Sequence, residues 1–531
     1  MMKPLWESAM GKVISTLLRH LPVGPLYQLR RGLRHPLQVQ EQILRTYLQR
    51  SVDTEYSRRY DFREILRSEN LIEAYQQHVP LHEYEAIAED LDRVHHGEPD
   101  VLRPGTFRYF TRSAGTTARG KVFPVSEKTL HCNIQLNLAM AMNYIAETGD
   151  VSIVQGKVLA LSGVATDDPY VIGARFGDVS SLMADYQYRQ RKSRGKRRRA
   201  LQALPRSVQL ITGMDDRMAA IIEHTMDADV RVVGTMPPWM LVLFQRLIAA
   251  YNERHKNQVT TVGQIWPNLR LLLCGGVALQ TYRRLLDEII GLPEARYLEG
   301  YGASEGFFAF QNDLEDPAML LHPDCGIFYE FVPFDDLGAE RPERFTIDRI
   351  QPGLRYVPHI TTPSGLWSFC VRDVVRFTSV DPPKLIVCGR TAEMLQDYSE
   401  YVIGEEMQAA LDVACQATGA RVAEYHVCGR PVGPQGPHTH TWILEFETPP
   451  ADIQELLRHI DEDLQERNNC YRLCRNEKGF GFPEAFAVPQ GTFHRWIQNT
   501  RGYLDAQTKV PRLREDREVA EGVLAFARTA S

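Results

Sequence analysis

The chain reads as an α/β protein in two unequal parts. A large N-terminal domain combines parallel sheet with a β-rich region, and a smaller α+β domain follows it. Three observations predict this. The 531 residues exceed the roughly 250–300 that one core holds. The middle of the chain alternates short apolar runs with helical spacing, the pattern of a mainly parallel sheet. Near Leu366 the pattern turns to β, and after Arg390 to α+β.

The elements follow in order. The apolar run 230–233 ends at Gly234, and Pro237-Pro238 opens a helix, where a missing N–H costs little. Trp239, Leu243, Leu247 and Tyr251 continue it. A second run, 269–273, is closed by Gly275-Gly276. Leu279, Tyr282, Leu285, Leu286, Ile289 and Ile290 then keep helical spacing until Gly291 and Pro293 stop it. Residues 366–387 are rich in Val, Phe, Trp and Thr, with Pro382-Pro383 as a turn. Beyond them a helix over 405–418 ends at Gly419, strands cover 422–428 and 441–446, and a helix carries Ile453, Leu456, Leu457, Ile460 and Leu464. The predicted domains are 1–391 and 392–531.

Composition excludes several classes. With 61 Lys+Arg against 67 Asp+Glu and a net charge of −6, the chain lacks the basic face that nucleic acid requires. One dense basic run, Arg189, Arg191, Lys192, Arg194, Lys196, Arg197, Arg198 and Arg199, could contact RNA or an anionic membrane. No aromatic platform accompanies it, so a solvated surface loop is expected. No apolar run approaches the ~20 residues of a membrane span. Lys3, Glu7, Lys12 and Arg19 interrupt the apolar residues of the first segment, which is unlike a signal peptide. Nine scattered cysteines without a C-x-x-C suit reduced thiols of a cytoplasmic protein.

Four segments could carry chemistry. Residues 111–126, TRSAGTTARGKVFPVS, place small and hydroxyl residues, Ser113, Gly115, Thr116 and Thr117, where backbone N–H groups can close around phosphate, with Lys121 adding charge. Gly115 to Lys121 spells G-x-x-x-x-G-K, but Val122 brings no hydroxyl, and a strand-like stretch follows where a Walker loop needs a helix. Residues 297–310, YLEGYGASEGFFAF, contain Gly302-Ala303-Ser304-Glu305-Gly306. This fits the nucleophile elbow of a serine hydrolase built on Ser304, with His322, His359, His438, His440 and His494 downstream. The rival reading makes Glu305 a magnesium ligand and Tyr301 a flat surface for a base. In residues 365–390, Asp373 and Arg390 could hold a ribose or form an ordinary salt bridge. Residues 507–512, QTKVPR, place Lys509 in an extended segment; alone, it is a solvated lysine. His438 and His440 lie in a Gly/Pro-rich loop, read as a hairpin for want of a third metal ligand.

Taken in this order, the phosphate loop before K-x-x-P, EGYGASEGFF, GLW leading to D-V-V, and Q-x-K-x-P-R resemble the acyl-acid amido synthetases, the Gretchen Hagen auxin-responsive family of adenylate-forming enzymes. The resemblance extends from Val79-Pro80 and Tyr84-Glu85 to Arg512. It implies a large adenylating domain and a small mobile one. It also implies a carboxylic acid and an amine as substrates, ATP and Mg2+, and no membrane or nucleic-acid partner. The acid and ATP give an acyl-adenylate, which the amine converts to an amide. By resemblance, Ser113, Gly115, Thr116 and Thr117 form the phosphate loop, and Tyr301, Gly302, Ala303 and Ser304 the adenine and α-phosphate strand. Glu305 is the magnesium carboxylate, Asp373 the ribose ligand, Arg390 the hinge-side arginine, and Lys509 the lysine that steadies adenylation.

The sequence departs from the family at several points. Arg372 stands where glycine usually precedes the ribose aspartate, either bulky beside the nucleotide or pointing outward along an alternating strand. Trp367-Ser368-Phe369-Cys370 replaces Y-R-Y-R, Ala114 replaces a serine, and Arg119-Gly120 inverts the usual order. The expected function is an amide-forming ligase, with an amino acid as the default amine or an amino-heterocycle in natural-product assembly. Alternatives are transfer to a CoA or carrier-protein thiol, and the Ser304 hydrolase.

Overall fold

The computed structural model describes residues 5–20, 24–112, 121–193, 202–337, 339–391, 394–395, 400, 402–429, 438–476, 480–501 and 509–529. The large N-terminal domain is organised on one sheet of eleven strands. Four of them are parallel, in the spatial order Lys157–Ala160, Val230–Gly234, Leu271–Gly275 and Arg296–Ala303. Their near-continuous apolar character follows from burial on both faces. Leu271 packs with Val232 and Leu298 on one side, and Leu272 with Val230 and Val233 on the other. The helix Pro237–His255 covers the second side with Met240, Leu243, Phe244 and Leu247, spaced for one helical face. The run expected to begin at Leu269 becomes strand only at Leu271.

The sheet changes direction at one hairpin, where Arg296–Ala303 returns as Gly306–Gln311. It continues antiparallel through Met319–Leu321, Pro383–Arg390, Asp373–Val380, Arg355–Thr361 and Phe328–Pro333. Composition separates an α/β layer from a β-rich region; in space they are two halves of one sheet. Tyr109–Arg112 belongs to a second, four-stranded sheet, between Val122–Pro124 and Arg175–Gly177. The basic run is not a loop where it is described: Arg189 lies on the helix Val179–Ser193 and pairs with Asp185 at 2.7 Å. The stretch 194–200 lies outside the described residues. No described helix is long and apolar enough to cross a membrane.

A helical layer at the N-terminus is fastened to the antiparallel half by a buried charge. Glu330, fully buried, accepts from Arg344 Nε at 2.9 Å, Gln76 Nε2 at 3.1 Å and Ser368 Oγ at 2.6 Å. Arg344 also donates to the carbonyls of Gln76 and Val79, at 2.8 and 2.7 Å.

The smaller C-terminal domain has its own sheet, ordered Glu484–Val488, Thr441–Thr448, Arg421–Cys428 and Leu513–Arg514. Strand alternation divides its core in two. Trp442, Leu444, Tyr425 and Val427 meet a core that Leu411 and Leu457 of the helices Gly404–Thr418 and Ile453–Arg467 complete, while Ile443 and Cys428 face one built with Phe493 and Val523 of Thr492–Arg501 and Glu518–Thr529.

Replacing Arg344 by Met should strand the Glu330 carboxylate in the core and destabilise the large domain by about 3–5 kcal/mol. A fall in its urea midpoint at unchanged slope would register this. An unchanged midpoint would show that Gln76 and Ser368 suffice.

Candidate active site

The described candidate residues gather at the C-terminal ends of the parallel strands, where open α/β sheets bind their ligands. Gly302 pairs with Phe307 and Ala303 with Gly306, leaving Ser304 and Glu305 as a tight hairpin turn. This overturns the hydrolase reading. A nucleophile elbow is a strand-to-helix turn that exposes its serine, whereas here the strand returns directly as another strand.

Tyr301 reaches from this hairpin to the antiparallel strands Asp373–Val380 and Pro383–Arg390. Its hydroxyl donates to Asp373 Oδ2 at 2.9 Å, and Arg390 Nε donates to Asp373 Oδ1 at 3.1 Å. Asp373 and Arg390 are register partners. Asp373 and Tyr301 are both buried, and the Tyr301 ring lies edge-on to Phe308, with centroids 5.0 Å apart. Burial first, and then the Asp373 carboxylate, holds the Tyr301 hydroxyl far above the usual phenol range. It therefore remains a donor. Each Asp373 oxygen keeps a lone pair beyond the contact described.

Glu305, beside this triad, has a different environment. Burial, reinforced by the Asp373 carboxylate, pushes its carboxyl up to about 7, although its own backbone N–H, Arg390 and Lys121 pull the other way. A carboxyl so placed ionises fully when a cation comes to it.

Arg372 is not extended. Its φ of +64° is left-handed, so strand alternation does not set its direction. Its guanidinium reaches Glu83 Oε2 at 2.5 Å and Glu85 Oε2 at 2.8 Å. Lys121 reaches the same Glu85 at 3.0 Å, with its ammonium 4.5 Å from the centre of the Tyr84 ring. Ser113, Gly115, Thr116 and Thr117 lie outside the described residues. His440 is buried against Glu400 at 3.4 Å, and no cluster of three metal-ligating side chains occurs among the described residues.

Lys509 comes to this edge from the small domain. Gly275 pairs with Gly300 on the strand carrying Tyr301, so Gly276 lies level with Tyr301. Gly276 has φ +83°, and a Cβ there would meet Met236 Sδ at 3.0 Å and lie 3.9 Å from Lys509 Cε. The glycine permits both the turn and the close approach. The contact is underpinned three residues on. Arg512 reaches Glu424 Oε2 and the Tyr282 hydroxyl at 3.3 and 3.4 Å, and Tyr282 donates to Glu424 Oε1 at 2.6 Å. Arg284 to Glu447 at 3.3 Å and Arg376 to Glu405 at 2.8 Å extend this polar seam.

Helical spacing marks Tyr282 as a core residue and hides its hydroxyl's partner across the seam. Glu83, Glu85, Glu424 and Arg512 carry no local pattern of their own. Arg372, out of place before Asp373, was the one legible sign of the charged cluster around it.

Replacing Arg512 by Ala should leave Glu424 buried without its cation and destabilise the small domain, to which both belong, by about 3–5 kcal/mol. Faster amide exchange in Arg421–Cys428, with unchanged exchange in Leu271–Gly275, would show it. Equal protection in the variant and the wild type would show that the Tyr282 hydroxyl suffices to hold Glu424.

Comparison with known proteins agrees with this geometry. Family models match in sequence order: the GH3 family N-terminal domain over residues 25–247, the central domain over 320–390 and the C-terminal domain over 405–518. Indole-3-acetic acid-amido synthetase GH3.4 of Arabidopsis thaliana is 24% identical over 552 residues, covering 90% of this chain and 89% of that protein. The corresponding GH3.8 protein of Oryza sativa subsp. indica is 29% identical over 273 residues, 47% of this chain and 44% of its own. Among solved structures, GH3.15 acyl acid amido synthetase superposes with a TM-score of 0.75 at 18% identity, covering 92% of this chain and 93% of that one. A 2-hydroxyisobutyryl-CoA ligase superposes at 0.58 and 14% identity, covering 92% and 91%. With the matched segments spanning most of its length, the chain belongs to the GH3 family.

Proposed function

We infer that this protein is an ATP-dependent ligase that activates a carboxylic acid as its acyl-adenylate and couples it to an amine, releasing pyrophosphate and AMP. The observation that carries the reading is the meeting of Tyr301, Glu305, Asp373, Arg390 and Lys509 at one end of the sheet, in a family whose named members include an indole-3-acetic acid-amido synthetase and a 4-substituted benzoates-glutamate ligase.

A carboxylate resists attack by an amine until one of its oxygens becomes part of a leaving group. In the first step that oxygen attacks the α-phosphorus of ATP and the bond to pyrophosphate breaks. Asp373 is suited to accept the ribose hydroxyls, because Tyr301 and Arg390 fix its orientation without exhausting its lone pairs. The hairpin backbone at Gly302, Ala303 and Ser304 would border the adenine and α-phosphate, and Ser113, Gly115, Thr116 and Thr117 the outer phosphates. Lys509 brings positive charge from the side of Gly276, as negative charge builds on the transferring group.

The half-buried Glu305 suits a divalent cation, since its carboxyl lacks an ion-pair partner among the described residues and its ionisation is suppressed. Mg2+ bound there would neutralise phosphate charge. In the second step the amine nitrogen attacks the acyl carbon, AMP leaves and the nitrogen loses a proton. Access for the amine requires Lys509 to withdraw, so residues 392–531 would move as a unit about the segment after Arg390. An amino acid is the default amine, with amino-heterocycles of natural-product assembly as the other candidate class. Among the described residues, Cys132, Cys274, Cys325, Cys370, Cys388 and Cys415 are free thiols, which suits a cytoplasmic setting.

Pyrophosphate release against a panel of aryl, indolyl and aliphatic acids, with ATP and Mg2+ but no amine, tests the reading. Acid-dependent release should fall about 100-fold or more in Lys509→Ala. Release that is independent of acid, or unaffected in that variant, would refute it.

The pH dependence supplies a second check. Across about pH 6–8 the Glu305 carboxyl passes from mostly neutral to mostly ionised. Metal competes with the proton, so Mg2+ affinity should rise with pH through this window. Raising Mg2+ should move the acidic limb of the rate profile to lower pH, and Glu305→Gln should remove the limb. A limb indifferent to Mg2+ would assign the titration to another group.

A further inference from the structure

We propose that Glu85 and Arg372 act together as a positioning clamp for the nucleotide site, Glu85 fixing Lys121 at the end of the phosphate loop and Arg372 holding Glu85 against the strand that bears Asp373. The inference rests on the ATP-dependent reading above and adds residues to it that touch neither substrate.

Two loading elements of the site come from distant parts of the chain. The segment ending at Lys121 runs into the strand Val122–Pro124 of the second sheet, whereas Asp373 opens the strand Asp373–Val380 of the main sheet. Glu85, in the short 3-10 turn Tyr84–Ile87, reaches both: Lys121 Nζ at 3.0 Å and Arg372 Nη2 at 2.8 Å. Glu83 takes Arg372 Nε at 2.5 Å, so the guanidinium spans two carboxylates of one turn. The Tyr84 ring beneath the ammonium of Lys121 supplies a further contact from that turn.

The backbone at Arg372 points the same way. A φ of +64° is disfavoured for any residue with a Cβ, and glycine would take it freely. Arginine occupies it with its side chain turned from Asp373 toward Glu83 and Glu85, while its carbonyl accepts from the Thr391 N–H at 2.8 Å. Thr391 directly follows Arg390, so the main chain of Arg372 is tied to the second partner of Asp373 and its side chain to the phosphate-loop lysine. The clamp is exposed to solvent, with 37% of the Arg372 side chain and 64% of the Glu85 side chain accessible. It can therefore be altered without opening the core.

Arg372→Gly suits the test because glycine accepts the left-handed backbone, so lost activity cannot be ascribed to strain. Pyrophosphate release would be measured with ATP varied at saturating acid, and with acid varied at saturating ATP. The variants are R372G, E85Q, the double variant and R372K. We expect the KM for ATP to rise about five- to tenfold in each of R372G and E85Q, with the KM for acid within about twofold and the double variant no worse than the singles. R372K, keeping one ion pair, should recover part of the loss. An unchanged KM for ATP in R372G and E85Q, equal rises in both KM values, or single effects that multiply in the double variant would overturn the clamp. Wild-type protein that releases no pyrophosphate with any acid would overturn the ligase reading instead.

Discussion

A single buried carboxylate stands where the two kinds of sheet meet. Asp373 belongs to the antiparallel half, yet one of its two described donors is Tyr301 of the last parallel strand, and the other is Arg390 of its own hairpin partner. A carboxylate withdrawn from water is tolerated only with its oxygens satisfied, so these three residues constrain one another. The strand bearing Tyr301 must end beside Asp373, the turn at Ser304 and Glu305 must follow within two residues, and Arg390 must close the chain's last strand in the large domain. The charged side chains of the site owe their proximity to this constraint rather than to any local motif.

The small domain obeys a related rule on a larger scale. Its own cores are apolar, and its contact with the large domain joins an apolar cluster, in which Ile403 meets Phe334, Val357 and Val374, to a set of polar groups. Tyr282, Glu424 and Arg512 satisfy one another there. Only Val510 and Pro511 separate Arg512 of that triad from Lys509, a distance over which an extended chain has little freedom to wander. The place of the lysine is thus set by packing at the seam as much as by anything at the site.

Much of this was legible in the sequence, in proportion to how local the controlling physics is. The helices beginning at Pro237 and ending at Gly291 and Gly419 follow from proline's missing donor and glycine's left-handed backbone, and they lie where those residues place them. The alternation of Trp442, Ile443 and Leu444 likewise divides between two cores. The hairpin at Ser304 was open to two readings, since five residues specify a turn but not whether a helix or a strand follows. The union of the α/β and β-rich regions in one sheet depends on pairing across gaps in sequence, such as Met319 with Leu385, that no local period encodes. The partners of Arg372, nearly three hundred residues away in sequence, were beyond reach for the same reason.

The ion pairs of the seam bear on how the molecule would respond to its surroundings. The balance between closed and open arrangements would respond to dissolved salt, because screening weakens Arg284 and Arg376 against their partners, while the apolar contact of Ile403 with the large domain is left untouched by it. A hinge of this kind is a gauge of ionic strength built into the path that Lys509 travels.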